Sequence, residues 1–298
     1  MRVLIDVKDN PTSGKGHFLN RLAHELPNHG VEVVSEGKHD IYLGVNQFKH
    51  KTKAPKVLRV NGCYNDKARP FKKMNETIAV QCRKADGIIY QSQWSKQMHQ
   101  KYVGKYKVPS AVIFNGSFQT KGVDFANGFV AVSRWRPHKR LKDIITAFDI
   151  ADTGRKLHVY GDTPMIGRVP NVVYHGKVFA NELFSAFNQA NASIHICYLD
   201  ACPNSVVESL MVGCPVITNN VGGTQELIME GCGEVCEIDE PYDMRPVKLY
   251  KPPPVDHNVI AQAMWDSLKW PRVTNNAHVD IVNIAKQYKS FFEGVLSA

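Results

Sequence analysis

Short apolar runs recur along this chain, separated by longer stretches whose apolar positions return every three or four residues. The runs read as buried strands and the stretches as amphipathic helices. In the first half "RVLIDV" is a strand, and "GHFLNRLAHELPNHG" places Phe18, Leu19, Leu22, Ala23 and Leu26 on one helical face. "VEVV", "DIYLGV" and "KVLRV" are strand-like, "KKMNETIAVQCRKA" is helical, "GIIYQS" leads into the helix "QWSKQMHQKY", and "SAVIFNGS" closes the half. The second half starts with the strand "GFVAVSRW" and the helix "RLKDIITAFDIA". "KLHVYGD", "NVVYHG" and "ASIHICY" follow as strands, with the helix "NELFSAFNQA" before the last of them. "PNSVVESLMVG", "PVITN", "TQELIMEG" and "GEVCEI" continue as helix, strand, helix and strand. A Pro-rich, non-periodic connector, "EPYDMRPVKLYKPPPVDHN", then leads to two helices, "VIAQAMWDSLKW" and "HVDIVNIAKQYKSFFEGVLS".

Strands alternating with helices predict parallel sheets covered on both faces. Two such runs, parting near residues 116–128, predict two Rossmann-like domains, residues 1–120 and 121–276, with a closing helix over 277–298. Ligands of such sheets lie outside the carboxyl ends of the strands, which places the chemistry in a cleft between the domains.

Composition narrows the class. The chain is 43% hydrophobic and 22% charged, as soluble globular proteins are. No run approaches the roughly 18 apolar residues of a spanning helix, and "MRVLIDVKDN" lacks a signal peptide's apolar region. Seven cysteines without scaffold spacing imply reduced thiols and a cytosolic setting. Cys232 and Cys236 have no partner pair and read as structural, not as zinc ligands. The net charge of +9 is unevenly placed: residues 1–120 hold 20 Lys/Arg against 9 Asp/Glu, while residues 121–298 carry a net −2. That imbalance points to an anionic partner for the first half.

The candidate chemistry centres on "YLDACPNSVVESLMVGCPVITNNVGGTQEL". Pro203 suits a first helical position, where its missing N–H costs nothing. The loop Asp200-Ala201-Cys202 then lies at a helix N-terminus, where free N–H groups and the dipole favour a phosphate. Val206, Val207 and Leu210 form the buried face, and Glu208 falls on the flank, one turn after Asn204. Helical side chains lean toward the N-terminus, so the Glu208 carboxylate reaches back toward the same place. Beside an anion a carboxylate is favourable only if it grips hydroxyls, as on a ribose. Gly222-Gly223 turns into another helix with a second set of N–H donors.

This stretch resembles the E-x7-E region of retaining GT-B glycosyltransferases of family four, the glycosyl transferases group 1. Asp200, seven residues and Glu208 are followed by Gly213-Cys214-Pro215-Val216-Ile217 and then Gly222-Gly223-Thr224-Gln225-Glu226. The departures are Asp for the first Glu and "CPNS" for the commoner Gly-Phe-Gly. The resemblance extends to "VSRWRPHKRLKDIITAF", with Arg134 and Lys139 as an R-x4-K pair, to the Asn115-Gly116 interdomain turn, and to "NPTSGKGHFLNRLAHEL". It implies a GT-B fold of two facing Rossmann-like domains, with the last helix crossing back to the first. It also implies that Glu208 holds the donor ribose, that Asp200 lies near the donor sugar, and that Arg134 and Lys139 neutralise the leaving diphosphate. Gly14, Gly16, Gly161, Pro203, Asn204, Ser205, Gly222, Gly223 and Glu226 would line the donor. The family's acceptor-side histidine has no clear match; His17, Asn61 and Asp66 are the candidates.

The expected activity is retaining transfer of a sugar from a nucleoside diphosphate to an anionic or membrane-associated glycan or lipid. No cofactor and no metal are expected, because the chain has no Asp-x-Asp pair and basic residues can do the ion's work. Modification of DNA bases and a non-catalytic nucleotide-sugar-binding role are the alternatives. An NAD enzyme would need a G-x-G-x-x-G after a strand, which is missing. A P-loop would need Ser or Thr after Lys15, where Gly16 stands.

Overall fold

The computed structural model describes residues 1–5, 14–119, 127–162, 167 and 169–298, the side chains of residues 14 and 15 excepted. The first run of elements is β1 (Arg2–Ile5), α1 (Gly14–Glu25), β2 (Glu32–Val34), β3 (Ile41–Val45), β4 (Lys56–Val60), α2 (Phe71–Cys82), β5 (Gly87–Tyr90), α3 (Gln93–Tyr102) and β6 (Ser110–Val112). The second is β7 (Phe129–Val132), α4 (Leu141–Ala151), β8 (Leu157–Tyr160), β9 (Val172–Gly176), α5 (Ala180–Asn188), β10 (Ala192–His195), α6 (Asn204–Met211), β11 (Val216–Asn219), β12 (Gly233–Cys236) and α7 (His257–Ser267). A last helix, α8 (Ile281–Leu296), ends the chain.

The chain forms two compact units, Met1–Phe118 with His278–Ala298, and Gln119–Ala277. The first holds a six-stranded sheet in the order β2-β1-β3-β4-β5-β6. Its pairs are all parallel, so each strand is covered on both faces and reads as a continuous apolar run. On one face α1 and α8 bury Phe18, Leu22, Ile284, Tyr288 and Phe292 against Val3, Ile5 and Ile41. On the other, Ile78 and Cys82 of α2 pack with Leu58, Val60, Ile88 and Tyr90. The last helix thus belongs to the first unit's core. Gly116 makes this possible, because a Cβ there would stand 3.0 Å from the Ile281 backbone.

The second unit holds another parallel six-stranded sheet, in the order β12-β11-β10-β7-β8-β9. Read from β7, that is the doubly wound order in which the sheet reverses between β7 and β10, and ligands bind at such a reversal. Ile144, Phe148, Ile260 and Met264 of α4 and α7 cover one face, and Phe187 of α5 covers the other. Local signals set the helix starts. Ser92 and Ser95 form a reciprocal capping box on α3, while Asp256 and Asp280 cap α7 and α8.

Two expectations give way. "TQELIMEG" forms a 3₁₀ turn over Thr224–Leu227, not a second helix. Ile228, at φ −95° and ψ 86°, leaves the helical region and ends the turn. The flank position of Glu208 is also corrected: every residue from Val206 to Met211 is buried, Glu208 included, because α6 lies enclosed in its unit.

His99 of α3 has no exposed surface; its ring meets Tyr90 edge-on, and its Nε2 lies 3.5 Å from Cys82 Sγ. Burial pushes its pKa down to about 4. The unfolded chain, near 6.5, takes up the proton first as pH falls. Stability should therefore drop between pH about 6.5 and about 4, by up to about 3 kcal/mol from this group. Urea midpoints at pH 7 and pH 4.5 should show that loss in the wild type and a smaller one in His99→Leu.

Candidate functional site

The loops after β7 and β10 converge at the reversal of the second sheet, and they bring the candidate residues with them. After β7 the chain passes Arg134, which is exposed, and enters a 3₁₀ turn, Pro137–Lys139. Arg140 follows with φ 52°, in the left-handed region. A bulky residue holds that conformation only when its surroundings enforce it. Here they do. The guanidinium of Arg140 is fully buried and makes two hydrogen bonds to Asp239, at 2.8 and 2.6 Å, and one to the Pro253 carbonyl at 3.1 Å. Asn219, at the end of β11, donates to the same carboxylate at 2.7 Å. Lys139 is thereby aimed from a fixed backbone.

Lys139 Nζ is ion-paired with Asp200, in the loop after β10, and both side chains are largely buried. Burial works against both charges. Asp200 and Cys197 nevertheless hold the ammonium above the ordinary lysine range, and Lys139 and His195 hold the carboxylate well below its own. His195 is the last residue of β10, with Nε2 3.6 Å from Asp200 Oδ2, too far for a full hydrogen bond. Burial pushes the His195 imidazole down and the Cys197 thiol up to about 12. His138 stacks flat on Tyr250 of the Pro-rich connector, and burial with Lys139 beside it lowers its pKa to about 4.

The glycine turn closes the site from below. Gly222 has φ +90°, and a Cβ there would stand 2.6 Å from the Asp200 carbonyl oxygen. The Gly223 N–H donates to that same oxygen at 2.7 Å. The Asp200 loop and the glycine turn are thus bolted together through the Asp200 backbone. Pro203 is the N-cap of α6, one position earlier than expected, with Asn204 and Ser205 as its first helical residues. No side chain caps that helix, and the Asp200 loop runs directly into its N-terminus. Glu208 is buried and Glu226 is half-buried in the 3₁₀ turn. Gly161 has φ +104°, and a Cβ would collide with the Ser133 carbonyl. Its glycine serves the close approach of the β7 and β8 ends.

In the first unit Gly14 and Gly16 lie within the first turn of α1, not in a loop, and residues 6–13 before them lie outside the described residues. His17 is exposed on that helix. Asn61 is held by three partners: its Oδ1 accepts from Arg59 and, at 2.6 Å, from Gln91, and its N–H donates to Asn46 Oδ1 at 2.8 Å. Arg59 itself is buried, donates to Tyr288 Oη at 2.8 Å and to Asn115, and lies over the Phe18 ring. Asp66 is buried and accepts from the Ala68 N–H at 3.0 Å, as a turn-forming aspartate does. A cavity of about 330 Å³ opens here, lined by Asn46, Gln47, Asn61, Tyr64, Met74 and Thr77 among others. Sequence reasoning missed Arg140, Asp239, His195 and Cys197; partners 99 residues apart leave no local signal.

Gly222→Ala tests the clamp. It adds both left-handed strain and a clash with Asp200, whereas Gly231→Ala, at φ +79° with nothing within 4 Å, adds strain alone. The strain costs roughly 1–2 kcal/mol. Urea midpoints should fall for both variants and clearly further for Gly222→Ala.

Against this geometry stand three comparisons with known proteins. Residues 126–244 match the family described as glycosyl transferases group 1. No curated protein matches the chain. Among solved structures, the chain resembles AviGT4, a glycosyltransferase involved in avilamycin A biosynthesis, at 14% identity and a TM-score of 0.66, covering 100% of this chain and 98% of that one. It resembles Anabaena HepE in complex with UDP and glucose at 17% identity and a TM-score of 0.66, covering 98% and 99%. It also resembles sucrose-phosphate synthase from Thermosynechococcus elongatus at 14% identity and a TM-score of 0.64, covering 99% and 96%. In fold the chain is therefore like these proteins end to end, and over residues 126–244 it matches the group 1 glycosyl transferase family in sequence as well.

Proposed function

We propose that the protein is a retaining glycosyltransferase using a nucleoside-diphosphate sugar. The observation that carries this reading is the convergence of Lys139, Asp200, the α6 N-terminus and the Gly222-Gly223 turn at the reversal of the second sheet. The group 1 match spans all of these residues. HepE, of the same fold, is seen with UDP and glucose, so a uridine diphosphate sugar is the first donor to test.

In this reading the diphosphate lies against Lys139, Arg134 and the N–H groups that open α6, and Glu208 holds the ribose. The bond from the sugar's anomeric carbon to the phosphate oxygen breaks as the acceptor oxygen attacks from the same face. The acceptor's proton passes to the departing diphosphate. The positive groups stabilise the charge that grows on the leaving oxygen. These side chains suffice for that task without a metal cofactor.

The acceptor side belongs to the first unit. Its amide-lined cavity at the ends of β3 and β4 offers donors and acceptors without net charge, suited to the hydroxyls of a glycan. Around it the surface is basic: Lys49, Lys51 and Lys53 precede β4, and Lys67, Arg69, Lys72 and Lys73 surround the start of α2. A donor bound by the second unit leaves this positive excess unused. An acceptor that joins a glycan to an anionic lipid or chain uses both.

Glu208→Gln should weaken UDP binding in calorimetry by about 1.5–3 kcal/mol, the worth of a charged hydrogen bond. Unchanged affinity would remove the ribose role. Lys139→Ala and Arg134→Ala should each cost about 2.7–4 kcal/mol in turnover, with UMP losing less affinity than UDP. Wild-type turnover in either variant at saturating donor and acceptor would show that residue to be misassigned.

The acceptor class is tested by co-sedimentation with anionic liposomes and by gel shift with duplex DNA, each at about 0.01 M and about 0.1 M salt. Binding to the liposomes should fall steeply with salt. It should weaken when Lys49, Lys51, Lys53 and Lys56 become Gln, with UDP affinity unchanged. Binding to DNA alone would favour base modification instead.

A further inference from the structure

Asp200 of the ion pair also belongs to a set of ligand atoms in which His195 and Cys197 have no part in the proposed sugar transfer. His195, Cys197 and Asp200 each offer one metal-binding atom, and the three lie within 4.8 Å of one another. His195 is 94% buried by its 6% exposure, and its Nε2 makes no hydrogen bond among the described residues. Cys197 is 1% exposed. The separation of 3.6 Å between His195 Nε2 and Asp200 Oδ2 is close to the about 3.4 Å that two ligands at zinc distances span in a tetrahedron. Two features fix the ring. Thr218 Oγ1 donates to the His195 carbonyl at 2.8 Å, and the Gly222-Gly223 turn holds the Asp200 backbone.

An organic cation already lies against the trio: Lys139 Nζ is ion-paired with Asp200. From this we infer that His195, Cys197 and Asp200 form a site for a thiophilic divalent cation of the zinc class, which Lys139 and the metal occupy in mutual exclusion. A nitrogen, a sulfur and a single carboxylate select zinc-like ions over magnesium or calcium, which favour all-oxygen shells. Binding releases the Cys197 thiol proton to solvent and turns the ammonium out of the ring, since like charges a few ångströms apart repel. The metal is therefore an antagonist of Lys139, not a cofactor. On the reading that Lys139 serves the diphosphate, an occupied site would also slow transfer, but the inference itself does not depend on that reading.

The test uses the full chain without donor or acceptor, so its outcome is separate from that of the transferase proposal. Cobalt(II) chloride is titrated into reduced, metal-free protein, and the thiolate-to-cobalt absorption in the near ultraviolet is followed. The wild type should develop the band with one equivalent and lose it when zinc chloride is added. Cys197→Ser and, should that variant fold poorly, Cys197→Ala should remove the band, whereas Cys63→Ser should leave it intact. Lys139→Met should tighten cobalt binding by on the order of tenfold or more, because the competing charge is gone. A band that never forms, a band that survives in a folded Cys197 variant, or unchanged affinity in Lys139→Met would overturn the proposal.

Discussion

The Arg140–Asp239 pair, buried to 0% and 1% side-chain exposure, fixes the geometry of the second unit's site. Two ions in a dry interior cost several kcal/mol each to desolvate, and the cost is offset only by close, saturated geometry. The bidentate contact, the Asn219 amide and the Pro253 carbonyl supply most of that geometry; the Arg140 Nε has no partner among the described residues. Four chain segments meet there: the turn after β7, the end of β11, the residues after β12 that carry Asp239, and the Pro-rich connector. Arg140 follows Lys139 directly, so whatever anchors the guanidinium also directs the ammonium. Lose the anchor and the φ of 52° has no reason to persist.

Around that anchor the polar groups divide by consequence. Lys139 and Asp200 face each other in a nearly enclosed space, where charge interactions are stronger than at a surface. A phosphate that approaches must compete for the ammonium with a carboxylate already in contact. The first unit repeats the principle in another key. Buried Arg59 donates to Tyr288, Asn61 and Asn115, neutral acceptors that hold the guanidinium without cancelling its charge.

The fold was legible because its signals are local. Apolar runs such as "KVLRV" and "PVITN" can only be strands buried on both faces, and the serine and aspartate caps stand at the helix starts they mark. The resemblance put Asp200 and the Gly222-Gly223 turn at one donor site, but their direct backbone contact appears only in the structure. What escaped notice depended on distance or on space. The partner of Arg140 is 99 positions away, and nothing in "HKRLKD" reveals that its arginine is core while its lysine is not. Glu208 looked like a flank residue because periodicity assumes one wet face, and α6 has none. The expected helix at "TQELIMEG" was helical in composition, but the backbone leaves helical geometry at Ile228.

The place of α8 bears on how the molecule is made. The second unit, residues 119–277, is one continuous stretch and has all its parts once it has left the ribosome. The first unit, though begun earlier, lacks Ile284, Tyr288 and Phe292 until the chain's end, and these fill the same core as Phe18 and Leu22. Domains ordinarily fold in the order of synthesis. Here that order is inverted: the unit begun first can complete its core only after the whole of the second has been made.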